Sequence, residues 1–502
     1  MAVGLGGIIN YGSARRVCAF RQLISRCQIS QLRAQRPPTA PKQFPDLKRI
    51  RQNVDIHSKN CIDRNYKAHA DSPAEVARLI KESQLVSAAI PELSKKIREL
   101  EREIATANAL QESSASSRER IAAATEEAAG LRDELRELES RKSSYDATAH
   151  ELALSLPNLT SSNTPLDGNS RLISYINHDP NQIKSVESSV SHVDIGTFLS
   201  ILDFNAASMS TGWGFYFLVN EGALLEQALV QYALSVALRR GWNAISPPSI
   251  VYSYVADACG FQPRDQNDEQ QIWQIEQAEK DAGKPNRSLA ATAEIPLAAM
   301  YAGKNIPEEQ LPLKLVGSGR CYRAEAGARG VDTKGLYRVH EFTKVEMFAW
   351  TDSLDDSQDT EHSTRVFDEM LLIQMEILSS LYLPCRVLEM PSSDLGASAV
   401  RKIDIEALFP SRRSRDAGWG EVTSLSMCTD YQSRRLGTRI LQKSGKKGKF
   451  PHTVNGTAMA IPRVLAAILE HGWREDERCV IIPEVLRPYM AGQEKIRQKA
   501  KK

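Results

Sequence analysis

Residues 319–350 constrain the fold of this chain more than any other stretch, and they read GRCYRAEAGARGVDTKGLYRVHEFTKVEMFAW. The stretch begins with an Arg-x-Glu pair at Arg323 and Glu325 and then crosses a loop rich in glycine and charge. It returns as an alternating run that ends in aromatic residues. Two strand-like runs on either side of a glycine-containing loop predict an antiparallel hairpin.

The return strand of this hairpin is predicted to present two different faces, because successive side chains alternate along a strand. One set belongs to a core and consists of Tyr337, Val339, Val345 and Met347. The other set is charged or aromatic and consists of Arg338, His340, Phe342, Lys344 and Glu346. A solvated sheet face normally carries scattered small polar residues and lysines. Arginines, carboxylates and an aromatic ring gathered on one strand pair indicate a site for a nucleotide and an amino acid.

The hairpin resembles the second signature motif of class II aminoacyl-tRNA synthetases, in the form RxEAG…DT.GLYR.H.F.KVE that seryl-tRNA synthetases carry. Two further blocks stand in the matching order. A helix and strand over residues 221–248 precede the hairpin and end in Pro247-Pro248, and a third block over residues 394–463 follows it and includes Cys428-Thr-Asp-Tyr-Gln. The resemblance implies an α+β catalytic domain built on an antiparallel sheet, a helical hairpin ahead of it, and a homodimer.

Apolar residues spaced alternately three and four apart run through residues 90–107 and again through 121–156. This spacing predicts two coiled-coil helices, the first starting or kinking at Pro91 and the second ending before Pro157. The short polar stretch 111–117 predicts that they fold back on each other, and forty residues of the second helix would extend roughly 60 Å. Periodicity alone favours a structural or dimerisation coiled coil. The resemblance implies instead an arm that binds tRNA(Ser).

The first 45 residues contain no acidic residue, and their basic residues are Arg15, Arg16, Arg21, Arg26, Arg33, Arg36 and Lys42. This arginine-rich pattern is typical of a mitochondrial transit peptide, and a basic tail that touches RNA is the alternative. We therefore expect a leader over residues 1–42, a tRNA-binding arm over 43–157, and a catalytic domain over 158–502, with the protein acting in the mitochondrial matrix.

Eight cysteines are scattered without a C-x-x-C pair or metal-ligand spacing, which indicates free thiols rather than a disulfide framework or a zinc site. No apolar run is long enough to span a bilayer, so no membrane partner is expected.

The resemblance also implies a set of site residues. Arg323 would bridge the α-phosphate of ATP and the carboxylate of serine, since an arginine fork holds two anions well. The serine pocket would consist of Thr292, Glu294, Arg323, Glu346, Asn455 and Thr457. ATP would be bound by Arg323, Glu325, Val339, Phe342, Glu421, Val422, Thr423, Ser424 and Arg463.

Within that set, Glu325 would contact adenine and Phe342 would stack on its ring, while Arg463 would bind the γ-phosphate. The resemblance places Mg²⁺, bound together with ATP, at Glu421 and Ser424, and this cation prefers hard oxygen ligands and few protein groups. Arg323 and Arg463 would be the catalytic residues.

The predicted reaction is ATP-dependent activation of L-serine to seryl-adenylate, followed by transfer to tRNA(Ser) in mitochondrial translation. A noncatalytic tRNA-binding paralogue is one alternative, although it would be expected to lose Arg323, Glu421 or Arg463, and all three are present. A class II synthetase for another small amino acid is the other alternative. It would share the ATP residues and differ in the amino-acid pocket and the arm.

Overall fold

The computed structural model describes residues 40–109, 114–181, 190–261, 271–281, 283–325, 335–353, 360–412, 416–443 and 448–498. Nearly all of the predicted leader and the lysine-rich end of the chain therefore lie outside the described residues. The α-helices are α1 (Leu47–Gln52), α2 (Val54–Asp63), α3 (Ser72–Ala109), α4 (Ala115–Ser155), α5 (His192–Phe198), α6 (Phe204–Thr211), α7 (Glu221–Arg239), α8 (Ser253–Ala258), α9 (Glu294–Ala299), α10 (Glu361–Ser380), α11 (Tyr431–Leu436) and α12 (Ile461–Gly472).

The strands are β1 (Arg171–Ile176), β2 (Leu202–Asp203), β3 (Phe217–Leu218), β4 (Asn243–Ala244), β5 (Ile250–Tyr252), β6 (Arg287–Leu289), β7 (Asn305–Pro307), β8 (Leu313–Tyr322), β9 (Glu341–Thr351), β10 (Cys385–Glu389), β11 (Arg401–Leu408), β12 (Trp419–Thr429), β13 (Arg439–Leu441), β14 (His452–Ala460), β15 (Trp473–Arg474), β16 (Cys479–Ile481) and β17 (Lys495–Arg497). Eight of them form one sheet in the order β1-β10-β11-β12-β14-β9-β8-β4. Neighbouring strands in it are antiparallel except for the β4–β8 pair. The predicted α+β architecture is confirmed.

One face of this sheet is covered by helices α7, α10 and α12, which bury their apolar sides against it. Val345 and Met347 of β9 point into this core, together with Leu425 of β12 and Val454 of β14. Because side chains alternate along each strand, the intervening residues point to the other face. The face opposite the helices is therefore where the polar side chains of the central strands collect.

The hairpin of β8 and β9 pairs Tyr322 with Glu341 at the end where its long loop begins, as predicted for an antiparallel hairpin. The prediction that Tyr337 and Val339 belong to the core face of the return strand was wrong, since the strand begins at Glu341. The segment before it is bound elsewhere. The backbone N–H of Leu336 donates to His192, and that of His340 donates to the Gly214 carbonyl.

Helices α3 and α4 form the predicted antiparallel hairpin. Ser83 donates to Asp146 near its base, and Arg120 pairs with Glu103 near its tip. At 1.5 Å per residue, the 41 residues of α4 extend roughly 60 Å.

Helix α3 begins at Ser72 with Pro91 inside it, so Pro91 does not mark the start of this helix. The predicted end of the linker between the two helices was wrong. Helix α4 begins at Ala115, within the stretch predicted as linker, because the Ser114 hydroxyl caps the N–H of Ser117.

The base of the helical hairpin is joined to the sheet and the segment before β11 by hydrogen bonds from two polar side chains. The Asn158 side-chain amide donates to the carbonyls of Ser398 and Cys428, at 2.9 and 2.8 Å. The buried Arg64 guanidinium donates to the carbonyls of Asn158 and Gly396. Buried carbonyls need such donors, because an unpaired one costs about as much as a lost hydrogen bond. The hairpin base and the sheet therefore share one interior.

The six cysteines in the described residues are all buried free thiols. No helix in the described ranges has both the length and the apolar character that a bilayer crossing requires.

Candidate active site

A cavity of about 530 Å³ opens on the face of the sheet that the helices leave uncovered. It is bounded by the loop end of the β8–β9 hairpin, by strands β11, β12 and β14, and by the first turns of α9 and α12. Of the site residues predicted from the sequence, those that line it are Thr292, Glu294, Arg323, Glu325, Val339, Phe342, Glu346, Glu421, Val422, Ser424, Asn455, Thr457 and Arg463. The fold brings together residues that are up to 171 positions apart, from Thr292 to Arg463.

Thr423 does not line this cavity. It pairs with Ile405 on β11 and is 1% exposed, so its side chain lies on the core face of the sheet. If Thr423 contacts ATP as predicted, it can do so only through its main-chain atoms.

A β-bulge in β12 explains how Glu421 and Ser424 reach the same face. Glu421 pairs with Glu406 and Thr423 pairs with Ile405, so Val422 is an extra residue on β12. Residues three apart on a regular strand point to opposite faces, whereas a bulge restores both to one face. The bulge therefore turns the Glu421 carboxylate and the Ser424 hydroxyl into the cavity together.

The cavity has a cationic end. The Arg463 Nε–H donates to the Tyr337 carbonyl at 3.0 Å, and its Nη1 donates to the Glu421 carbonyl at 2.9 Å. Arg323 is anchored by a backbone pair with His340 at 2.9 Å, and its guanidinium lies 5.3 Å from the centre of the Phe342 ring. Both arginines thus have defined positions, and their charge suits the binding of a polyanion.

The positive charge at this end of the cavity lowers the pKa of Glu421. Burial by itself would raise the pKa of Glu421, but the charges of Arg463, Lys402 and Arg323 outweigh that effect and lower its pKa to about 2. The carboxylate is 42% exposed to the cavity, so water screens part of this attraction. It remains ionised at physiological pH.

The other end of the cavity is acidic and more deeply buried. Glu346 is 1% exposed. Its carboxylate accepts a hydrogen bond from the Thr457 hydroxyl at 3.2 Å and forms an ion pair with Lys344 at 2.7 Å. Glu294 is also buried and accepts from Gln432 at 2.7 Å. Two buried carboxylates beside one hydroxyl are suited to a small ligand that carries an ammonium and a hydroxyl group.

Burial raises the pKa of Glu294 to about 7, and the nearby charge of Glu346 contributes in the same direction. Lys344, Gln432 and Arg323 act against this shift. Like charges in one pocket disfavour a second ionised carboxylate. Glu294 is therefore poised to change its charge near neutral pH.

The donor set at Glu421 and Ser424 fits a magnesium ion. Both residues offer hard oxygen atoms to the cavity, which is the chemistry that Mg²⁺ prefers. Within the described ranges no cluster of three His, Cys, Asp or Glu side chains is arranged to hold a metal. A cation here would therefore take most of its ligands from phosphates and water.

Sequence reasoning gave no role to several residues of the site. Lys344 was placed on the polar face of the return strand without a function, and it neutralises Glu346. Lys402 lines the cavity and pairs with Asp404 at 2.8 Å. Tyr66, which comes from the base of the helical hairpin, also lines the cavity. Strand parity could have identified the lysines, but no local pattern marks Tyr66.

Two known domain families match the chain. Residues 45–160 match the seryl-tRNA synthetase N-terminal domain, and residues 275–472 match the tRNA synthetase class II core domain (G, H, P, S and T). The first match covers the helical hairpin and its base, and the second covers most of the cavity walls.

Individual relatives extend this similarity over most of the chain. The mitochondrial serine–tRNA ligase of Saccharomyces cerevisiae is 43% identical over 365 residues, or 72% of this chain and 77% of the relative. That of Schizosaccharomyces pombe is 37% identical, covering 89% of this chain and 88% of the relative. The serine–tRNA ligase of Rhodopirellula baltica is 36% identical, covering 89% and 98%. The arm and the cavity are thus both included.

The solved structure of Pyrococcus horikoshii seryl-tRNA synthetase complexed with ATP has the same architecture. It matches with a TM-score of 0.75 at 28% identity and covers 91% of this chain and 100% of that one.

The raised pKa of Glu294 predicts a pH-dependent effect of Glu294→Gln on stability. A carboxyl whose pKa rises from 4.5 to about 7 on folding stabilises the fold below about pH 4.5, and that contribution is lost as the pH rises through 7. Relative to wild type, the variant should therefore gain on the order of 2–3 kcal/mol between about pH 4.5 and pH 8. Urea unfolding at both pH values measures this. The exposed Glu309→Gln controls for the loss of one charge, and a Glu294→Gln effect that is equal at both pH values would contradict the prediction.

Proposed function

Because the chain belongs to the seryl-tRNA synthetase family and has its serine–tRNA ligase activity, we propose a division of labour within the cavity that performs this reaction. The activity is the ATP-dependent activation of L-serine to seryl-adenylate, with release of pyrophosphate, and transfer of the seryl group to tRNA(Ser). The observation that carries the proposal is that one cavity combines a cationic end with a buried pair of carboxylates. Serine and ATP together present the complementary charges.

The cationic end is proposed to bind the triphosphate. Arg463 lies against Glu421 and the Tyr337 carbonyl, which leaves its guanidinium in a fixed orientation toward the γ-phosphate. The charge of Arg323 acts on both Glu421 and Glu294, and its guanidinium would hold the α-phosphate and the serine carboxylate in contact. Bringing two anions together is the main electrostatic obstacle in this step, and an arginine fork offsets it.

The adenine would lie on the Phe342 ring, with Glu325 and Val339 at its edge. All three residues line the cavity and come from the loop end of the β8–β9 hairpin. Glu325 has a partner in Arg338, at 3.7 Å, so its carboxylate is held at the cavity wall. An aromatic face and a carboxylate acceptor match a base that carries an exocyclic amino group.

Serine is proposed to bind at the acidic end. Its α-ammonium needs an ionised carboxylate, and Glu294 beside Thr292 supplies one. Its hydroxyl would be read by Glu346 and Thr457, which are directly opposite each other on β9 and β14. Asn455, two residues before Thr457, completes the pocket.

Mg²⁺ is proposed to bind at Glu421 and Ser424, with Val422 and the main chain of Thr423 beside the nucleotide. When bound, such an ion neutralises phosphate charge and orients the pyrophosphate leaving group. The protein's own contribution to the first step is positioning and charge neutralisation, since no side chain is required as a nucleophile.

The two alternative functions are less well supported. A noncatalytic tRNA-binding paralogue has no need for Arg323, Glu421 and Arg463 in one cavity with a depressed carboxylate pKa. A synthetase for another small amino acid has no need for the Glu346–Thr457 pair, which offers a buried carboxylate and a hydroxyl to the hydroxyl of a substrate.

The enzyme acts in mitochondrial translation, and we propose the matrix as its compartment and residues 1–42 as the transit peptide. The helical hairpin is proposed to bind tRNA(Ser) through exposed basic residues such as Lys96 and Arg102. A homodimer is proposed through the region around α7. Leu224 of α7 and Phe217 of the strand before it are large apolar side chains that are exposed, as at a protein interface.

Arg323→Ala should abolish serine-dependent pyrophosphate exchange while the fold is retained. The guanidinium is proposed to hold both anionic reactants, so its loss should cost several kcal/mol in the transition state, at least about 2.7–4 by comparison with one oxyanion donor. Exchange kinetics and circular dichroism measure the two properties. The matched control is Arg386→Ala, which removes a partly exposed, ion-paired arginine of β10 that does not line the cavity. Wild-type exchange in folded Arg323→Ala would contradict the proposal.

Shortening the helical hairpin should separate the two half-reactions. Replacing residues 88–141 with a four-residue Gly-Ser linker keeps the buried base, including Val86 and Ala149, and removes the distal hairpin. Pyrophosphate exchange should stay within about threefold of wild type, because the adenylation residues lie in the body. Charging of tRNA(Ser) should fall by at least about 100-fold. Normal charging by the shortened protein would mean that the hairpin does not bind tRNA.

Changing the hydroxyl-reading pair should alter amino-acid selection. A pocket that hydrogen-bonds a substrate hydroxyl rejects an analogue without it by on the order of 10⁴-fold in favourable cases. Glu346→Gln should weaken serine activation more than ATP binding, and Thr457→Ala should narrow the ratio of serine to alanine activation. Exchange assays with serine, alanine and threonine measure these ratios. An unchanged serine-to-alanine ratio in both variants would show that this pair does not read the hydroxyl.

A further inference from the structure

Gln432 of α11 is the last residue of the Cys428-Thr-Asp-Tyr-Gln block and is not among the residues proposed to bind a substrate. It is fully buried behind the acidic end of the cavity and does not line it. Its Nε2 donates to Glu294 Oε1 at 2.7 Å, and its Oε1 accepts from the Thr453 hydroxyl at 2.7 Å. The two contacts join α9, α11 and β14, elements that are far apart in sequence.

Thr453 determines which way the Gln432 amide faces. The single hydroxyl proton of Thr453 has a second acceptor in the Thr429 carbonyl, but at 3.4 Å, so the shorter contact to Gln432 Oε1 takes it. Against the ionised Glu294 carboxylate, the opposite orientation would place an amide oxygen, with no proton between two acceptors. The network therefore directs an N–H donor at Glu294.

Several charged or titratable groups face Glu294 from the elements packed around it. They are Glu346 and Lys344 on β9, Arg323 immediately after β8, Cys259 immediately after α8, and Cys428 on β12. Lys344 forms its ion pair with Glu346, at 2.7 Å, and not with Glu294. Gln432 is thus the neutral donor that holds the Glu294 carboxylate directly. A hydrogen bond to the charged form of a carboxyl favours that form.

We propose that Gln432 is a positioning residue for the binding of serine: it holds the Glu294 carboxylate, through the Thr453-Gln432-Glu294 chain, in the orientation that receives the α-ammonium of the amino acid. This inference rests on the proposed function, because it assumes that Glu294 binds that ammonium. Gln432 itself touches no substrate. Its effect should appear in the recognition of serine and not in that of ATP.

Gln432→Leu, of similar volume and without the amide, tests this by pyrophosphate exchange across a pH series. Near pH 7 the kcat/KM for serine should fall about 10- to 100-fold, carried by KM, since a hydrogen bond to a charged group is lost. The KM for ATP should stay within about twofold. The acid limb of kcat/KM for serine, which reports the free enzyme, should move up by about one pH unit, so that alkaline pH restores part of the activity.

Gln374→Leu is the matched control. Gln374 is an equally buried glutamine, and it donates to the main-chain carbonyls of Ser424 and Thr457 at 3.0 and 2.9 Å, with no contact to Glu294. Its loss should lower stability without moving the acid limb for serine. Equal movement of the limb in both variants would assign the effect to a general loosening of the pocket and overturn the inference.

Thr453→Val keeps Gln432 and removes only the hydroxyl that orients its amide. It should move the acid limb in the same direction by a smaller amount, and it remains informative if Gln432→Leu does not fold. An unchanged limb and serine KM in either folded variant overturns the inference while the proposed function stands. Absence of serine-dependent exchange in the wild-type protein would overturn the proposed function and this inference with it.

Discussion

The alternation of side chains across β9, β12 and β14 is the constraint on which the rest of this structure depends. Val345 and Met347 bury themselves against the helices, so Lys344 and Glu346 between them point into the cavity. The core and the site are two faces of the same strands. Packing that fixes the strands to a fraction of an ångström therefore also fixes the polar side chains, without a separate scaffold for them.

A regular sheet alone would not complete the site. The bulge at Val422 brings the Glu421 carboxylate and the Ser424 hydroxyl to one face, and a second register shift in β14 follows Thr457. Gln374 reaches from α10 to the carbonyls of Ser424 and Thr457 beside these irregularities. The helix layer thus supplies the hydrogen bonds that bulged strands leave open, and bulges of this kind commonly re-aim side chains at active sites.

Charge is separated along the cavity, with a cationic end and an acidic end. The cations Arg463, Lys402 and Arg323 hold the pKa of Glu421 down at one end, whereas burial and Glu346 raise that of Glu294 at the other. The pKa values of two glutamates in one cavity are therefore shifted in opposite directions. Positioning and fixed charge are sufficient to explain an adenylation step that brings two anions together.

The sequence by itself determined the elements with strong local periodicity and the residues of the motifs. The two long helices, the β8–β9 pair, helix α7 and the cavity-facing parity of Lys344 and Glu346 follow from spacing alone, because such patterns report one buried face. Tertiary contacts decided where elements begin and which residues complete the site. The return strand starts at Glu341 because Gly214 and His192 bind the preceding backbone.

Thr423 turns away from the cavity because of a bulge that no local pattern marks. Helix α3 runs through Pro91 and back to Ser72, where its first turns pack on the body. Glu294 and Gln432 are 138 residues apart in the chain and 2.7 Å apart in the fold. Short-range periodicity cannot encode such a contact, since it depends on how distant elements are packed together.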